Sequence, residues 1–146
     1  NRTYRYIEEK PLYPFGYGLT YGDVICTDAV LEEEVKLNED IKIKVSAKNR
    51  GKVGTEDVIQ VYIKDEESQY AVRNTSLCGF KRIFLNPGEE KEIHMTIPFE
   101  ALKVVNDEGE RILDSKKFTL YIGVSGADER SIELTKKEPV TVPIRL

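Results

Sequence analysis

Catalysis and metal binding draw on a short list of side chains, and this chain is sparing with them. Its 146 residues include two Cys, one His and no Trp. Cys26 and Cys78 are far apart in sequence and lack the Cys-x-x-Cys spacing of a metal or redox site. Two thiols cannot build a disulfide framework. Free, buried thiols are therefore expected, with a single bridge between two sheets as the alternative. A histidine-based zinc site cannot form around one His, and any Ser–His–Asp arrangement would have to use His94. His94 alternates with Ile93, Met95 and Ile97, which puts it on the solvent side of a strand. Carboxylates cluster at Glu32-Glu33-Glu34, Asp65-Glu66-Glu67 and Glu89-Glu90. Adjacent carboxylates on strands and turns point to opposite sides or into water, so these clusters read as a solvated surface. No catalytic residue, metal ligand or cofactor-binding residue is expected, and no cofactor.

The elements that would position such groups read as strand after strand. Asp23–Leu31 is a first strand. Ile41, Ile43, Val45 and Ala47 alternate with Lys42, Lys44, Ser46 and Lys48, giving a half-buried strand with a lysine-rich outer face. Asp57–Lys64 follows, with Ile59, Val61 and Ile63 on one side and Val58, Gln60 and Tyr62 on the other. Leu77–Leu85 carries Phe80, Ile83 and Phe84. Asn86-Pro87-Gly88-Glu89 is a turn, because Pro fixes φ and Gly takes the left-handed position. Ile93, Met95 and Ile97 mark the next strand, Pro98–Leu102 a single helical turn, and Asn106–Glu110 a hairpin-like turn. Phe118, Leu120, Ile122 and Val124 form the clearest strand, and strands at Ser131–Thr135 and Val140–Ile144 close the chain. About seven or eight short strands at intervals of roughly 8–12 residues suggest an all-β fold. An immunoglobulin-like antiparallel sandwich fits better than a barrel, and the absence of a sustained helical period disfavours a parallel α/β sheet.

Composition narrows the partners. Charged residues make up 33% of the chain and hydrophobic residues 40%, as in a globular domain. The net charge of −4 argues against a nucleic-acid partner. No apolar run approaches the roughly 18 residues that span a bilayer, so no membrane partner is expected. The chain starts at Asn1, its only Met is Met95, and it opens with no signal-like segment, so it is expected to be a piece of a longer polypeptide. The reduced-looking cysteines lean towards a cytoplasmic setting.

Residues 1–22 differ in kind and form an aromatic-rich linker or docking arm ahead of a sandwich at 23–146. Tyr4, Tyr6, Tyr13, Phe15, Tyr17 and Tyr21 fall there, broken by Pro11, Pro14, Gly16 and Gly18. Tyrosine buries a ring while keeping its hydroxyl wet or bonded, which suits an interface. Two fates are open: packing on its own sandwich, or docking on a neighbour. Tyr13–Tyr21 is expected to pack on the sandwich and Asn1–Glu9 to be the looser end, with self-association where apolar surface is left bare.

These residues carry a resemblance. Tyr13-Pro14-Phe15-Gly16-Tyr17-Gly18-Leu19-Thr20-Tyr21 resembles the junction that leads into the C-terminal fibronectin type III-like domain of glycoside hydrolase family 3 enzymes. Arg2-Thr3-Tyr4-Arg5-Tyr6 is similar to its approach in β-glucosidases and β-xylosidases. Asn49-Arg50-Gly51 with Gly54 resembles the family's N-x-G-x-x-G loop, and Val58–Ile63 its V-V-Q-L-Y-V strand. Leu77–Ile83 resembles L-x-G-F-x-K-V, Leu85–Glu89 resembles L-x-P-G-E, and Phe118–Ser125 resembles F-x-V-x-V-G-x-S. The chain departs from the family at Gly22-Asp23-Val24 and at Arg73-Asn74, where Arg-Pro is common.

The resemblance implies a fibronectin type III-like sandwich that is a non-catalytic accessory part of a β-glycosidase. Its partners would be the catalytic domains of the same polypeptide. Retaining glycoside cleavage needs two carboxyl groups about 5–5.5 Å apart, one protonated, and the resemblance places that pair in other domains. The alternatives are a carbohydrate-binding module and a cell-surface adhesion-type β domain. Tyr62, Tyr70 and Tyr121, the tyrosines outside the arm, are too scattered in sequence to name a sugar platform.

Overall fold

Side chains on a strand point alternately to its two sides, so a period-two pattern decides which residues meet in the middle. The computed structural model describes residues 3–146. Its long strands are β1 (Val24–Leu31), β2 (Ile41–Asn49), β3 (Thr55–Asp65), β4 (Ser76–Leu85) and β5 (Glu90–Ile97). The two-residue strands β6 (Val104–Val105) and β7 (Arg111–Ile112) form a small hairpin. β8 (Lys117–Gly123) and β9 (Val140–Arg145) complete the set. One sheet has the order β1-β2-β5 and the other β4-β3-β8-β9, and the pairings within both are antiparallel. The all-β sandwich expected from the alternation is the fold.

The core lies between the sheets. Ile41, Ile43, Val45 and Ala47 of β2 and Ile93, Met95 and Ile97 of β5 meet Ile59, Val61 and Ile63 of β3 and Phe118, Leu120 and Ile122 of β8. Fully burying each of these side chains other than Ala47 contributes roughly 1.5–3 kcal/mol. β4 departs from simple alternation: the register slips between Val61 and Tyr62, leaving Cys78 as the extra residue of a bulge. The turns are as expected. Gly88 has φ of 74° and Gly109 has φ of 81°, and Phe99–Leu102 is a 3-10 turn.

One element differs. Ser131–Thr135 is not a strand but belongs to helix α1 (Glu129–Thr135). Asp128 caps it, its Oδ1 accepting from Ser131 N at 2.9 Å, and Lys136 ends it in the left-handed conformation at φ 59°. Ile132 and Leu134 alternate as a strand would, but an Asp cap ahead of helix-forming Glu and Arg decides the local structure.

The two outer faces are unlike. On the three-stranded sheet, Lys44 pairs with Glu92 at 2.8 Å and Lys48 with Glu90 at 3.9 Å. Beside them His94 Nδ1 meets Glu32 Oε1 at 2.5 Å, so His94 is on the solvent side as expected. On the four-stranded sheet the arm forms a third layer. The chain ahead of β1 has no strand or helix of its own among the described residues.

Candidate docking face

The arm crosses the outer face of the four-stranded sheet in the direction opposite to β3. Its first anchor is at the start of β4, where Leu77 N donates to Tyr4 Oη at 3.0 Å. Asn74 holds the same turn: its N donates to Arg5 O at 2.9 Å, and its Nδ2 to Tyr4 O at 2.8 Å and Ile7 O at 3.0 Å. A proline at position 74 would lack that backbone donor. The departure from the family pattern thus carries a bond that ties the arm down. The segment expected to be the looser end is in this way well tied from Thr3 to Ile7; Asn1 and Arg2 lie outside the described residues.

The middle anchor is Tyr62, which is 1% exposed. Phe15 meets its ring edge-on at 6.5 Å, and Tyr4 stacks on Phe15 at 4.0 Å. Tyr62 Oη donates to Gln60 Oε1 at 2.6 Å, and Gln60 Nε2 donates to Gly16 O at 2.9 Å and Val124 O at 3.2 Å. Burial pushes the Tyr62 phenol upward, and Tyr4 and Asp128 add to the effect. Gly16 has φ of 80°, and a Cβ there would stand 2.3 Å from both Tyr62 Oη and Gln60 Oε1. Only glycine meets both conditions.

The last anchor is where the arm becomes β1. Thr20 Oγ1 meets Thr55 Oγ1 at 2.8 Å. Asn49 Oδ1 accepts from Asp23 N at 3.2 Å and Gly51 N at 2.9 Å, while its Nδ2 donates to Val53 O at 2.8 Å and Leu85 O at 3.1 Å. Asp23 lies between Arg50 at 3.0 Å and Lys137 at 3.1 Å. Burial works to raise its pKa, but the hydrogen bonds from Arg50 and Lys137 outweigh burial and hold it low. Beside helix α1, Lys10 pairs with Glu133 and Arg130 Nε donates to Leu12 O at 3.4 Å.

The six aromatics singled out in the sequence divide three ways. Tyr4 and Tyr17 are partly covered, Tyr4 stacked on Phe15 and Tyr17 against Tyr13 at 6.0 Å, while Phe15 itself stays 45% exposed. Tyr6 lies apart, with Arg5 6.0 Å above its ring. Tyr13 and Tyr21 face outward at 68% and 98% exposure. Two residues that aromatic counting misses join them: Leu12 at 73% and Leu19 at 91%. Phe80 and Phe84 of β4 are also exposed, and Arg82 between them lines one cleft with Leu19. Leucines in an irregular segment carry no period, so nothing in the sequence marks them as outward.

The remaining candidates are chemically quiet. Cys26 and Cys78 are free and half-buried, and burial pushes both thiols up to about 12, with Asp57 adding to it at Cys26. Glu33 pairs with Lys42, and Glu89 with Lys91, each carboxyl held below its usual range by those contacts and, first for Glu89, by the Asn86 N–H. Among the described residues no three His, Cys, Asp or Glu side chains group as a metal site would need. No described helix is long and apolar enough to cross a membrane.

Residues 57–126 match the fibronectin type III-like domain. The strand order, the antiparallel pairing and this match define the class: a fibronectin type III-like β-sandwich. A putative β-xylosidase of Formosa agariphila is 36% identical over 138 residues, covering 94% of this chain and 18% of that protein. Thermostable β-glucosidase B of Acetivibrio thermocellus is 36% identical over 130 residues, covering 86% of this chain and 17% of that protein. A β-glucosidase of Kluyveromyces marxianus has a solved structure that superposes with a TM-score of 0.77 at 25% identity, over 98% of this chain and 16% of that one. The chain thus spans under a fifth of the curated relatives it matches, and it belongs to the fibronectin type III-like domains of glycoside hydrolase family 3. In these relatives the domain is part of the same polypeptide as the rest of the enzyme.

Proposed function

We propose that the chain is a non-catalytic accessory domain of a β-glycosidase, with residues 1–22 as its docking arm and 23–146 as its sandwich. It docks on the catalytic part of its own polypeptide through the outer side of the arm. The observation that carries this is the unlike character of the two faces. The three-stranded sheet turns ion pairs to water, while Leu12, Tyr13, Leu19 and Tyr21 stand bare on the other side. Large apolar side chains left bare in one short segment are a place for a partner, and each of these side chains contributes roughly 1.5–3 kcal/mol if covered. With nothing on it, the same patch drives self-association of the isolated chain.

The test compares the chain with the full-length protein. The amides of Tyr13, Leu19 and Tyr21 exchange at least tenfold more slowly in the full-length protein. Replacing Leu19 and Tyr21 by Asp lowers the melting temperature of the full-length protein by several degrees and leaves that of the chain unchanged. Equal, fast exchange in both proteins makes the arm a tether and sinks the docking reading.

A further inference from the structure

The two sides of β4 are unlike. Ile83 and Leu85 turn to the core, while Phe80, Arg82 and Phe84 turn outward. Phe80 is 70% exposed and Phe84 48%. Their cross-strand neighbours on β3 are Gln60, Val58 and Glu56 in turn. Between the arm and β3 runs a cleft of about 460 Å³, with Leu19, Val58, Glu56 and Arg82 among its lining residues. An aromatic ridge thus stands beside a cleft on the outer face of one sheet. Lys81 and Lys91 reach across to carbonyls between β4 and β5, so the free edge of β4 is closed while its outer face is not.

The charges on this face cancel. Arg82 meets Glu56 at 3.4 Å, and both side chains are well exposed, at 72% and 63%. A neutral face does not repel its own copy, as a face of one sign would. The pair also has capacity to spare. Of the several N–H donors on a guanidinium, only Nη1 of Arg82 meets an acceptor among the described residues, and that acceptor is Oε2 of Glu56. The remaining Arg82 donors and Glu56 Oε1 are what a second Arg–Glu pair needs. Half a turn about an axis beside the pair sets each Arg82 against the copy's Glu56 and each ridge over the copy's cleft. Contacts in which i meets j and j meets i close in this way.

We propose that this face is the two-fold interface of a homodimer. Phe80 and Phe84 of each copy pack against the other's cleft, and Arg82 bonds across to Glu56. Leu12 and Tyr13, on the stretch beside helix α1, take no part, so the dimer does not rest on the docking reading. Leu19 borders both surfaces and is left unchanged in the test.

Sedimentation velocity on the full-length protein reads the dimer directly, with a Kd on the order of 10 μM. Arg82→Glu brings carboxylates together across the axis and weakens the dimer about tenfold. Glu56→Arg does the same with cations. Combining R82E with E56R restores the wild-type Kd to within about threefold. Phe80→Ser weakens the dimer about tenfold with no change in charge. All three positions are exposed, so the variants keep the fold. Leu12→Asp with Tyr13→Asp loosens docking and leaves the dimer as it was, which keeps the two readings apart. A full-length protein that stays monomeric well above that Kd overturns the proposal and leaves the face to the rest of the polypeptide. A dimer that Phe80→Ser leaves intact, or that the double charge swap fails to restore, overturns it as well.

Discussion

Asn49 uses both ends of its amide inside the protein, holding the entry to β1, the loop after β2 and the end of β4 at one buried point. Asn49→Ala leaves two N–H and two C=O groups short of a partner, at a cost of about 2–4 kcal/mol. Urea unfolding reads this directly, and a loss under about 1 kcal/mol would remove Asn49 from its central role. Gly16→Ala drives a methyl group into the Tyr62–Gln60 contact at a backbone angle that L residues avoid. It should loosen the arm, seen as faster exchange at Tyr4 and Phe15, while the core strands keep their protection. Two aspartates respond to pH in opposite senses. Asp23 has its pKa held below the usual 3.8, so it stabilises the fold above that value and the contribution is lost as pH falls through the lowered pKa. Asp57 is raised by burial, so its contribution is present below 3.8 and is lost as pH rises through the raised pKa. Asp57→Asn should therefore raise the neutral-pH melting temperature and Asp23→Asn lower it, and both effects should shrink near pH 3.

At the scale of elements, the edges of the sandwich are guarded. Lys81 on β4 donates to His94 O on β5 at 3.2 Å, and Lys91 on β5 donates to Phe84 O on β4 at 2.9 Å. Edge carbonyls covered by lysines do not template another strand. Replacing both lysines by Thr should speed aggregation on warming, followed by light scattering; unchanged scattering would mean that the bulge at Cys78 protects the edge by itself. The strands β2, β5 and β8 were legible in the sequence because one wet and one dry face write a period of two. Helix α1 was not, since seven residues are too few to write a period of 3.6, and its only signal was Asp128. The arm was legible in composition but not in direction: side chains without a period, such as Leu12 and Leu19, are sorted by tertiary contacts alone.

At the scale of the whole molecule, four of the carboxyl groups that cluster in sequence meet separate surface partners: Glu32 meets His94, Glu33 meets Lys42, Glu89 meets Lys91 and Glu90 meets Lys48. Glu33 and Glu89 are both held ionised by neighbours, unlike a general acid, which must keep its proton at working pH. The chain alone is expected to release no nitrophenol from aryl β-glucosides or β-xylosides. Turnover that disappears on changing an acidic residue here would contradict the accessory reading.

The arm also settles what could be exchanged between proteins as a unit. Composition divides the chain at residue 22, but Phe15 and Gly16, with Tyr4 stacked on Phe15, meet Tyr62 and Gln60 from the other side of that division. A sandwich transplanted from Val24 onward would arrive with a buried phenol and an amide opened to water. Recombination or grafting that carries the β-strands has to carry the irregular leader with them, so the heritable module is longer than the part that looks like a fold.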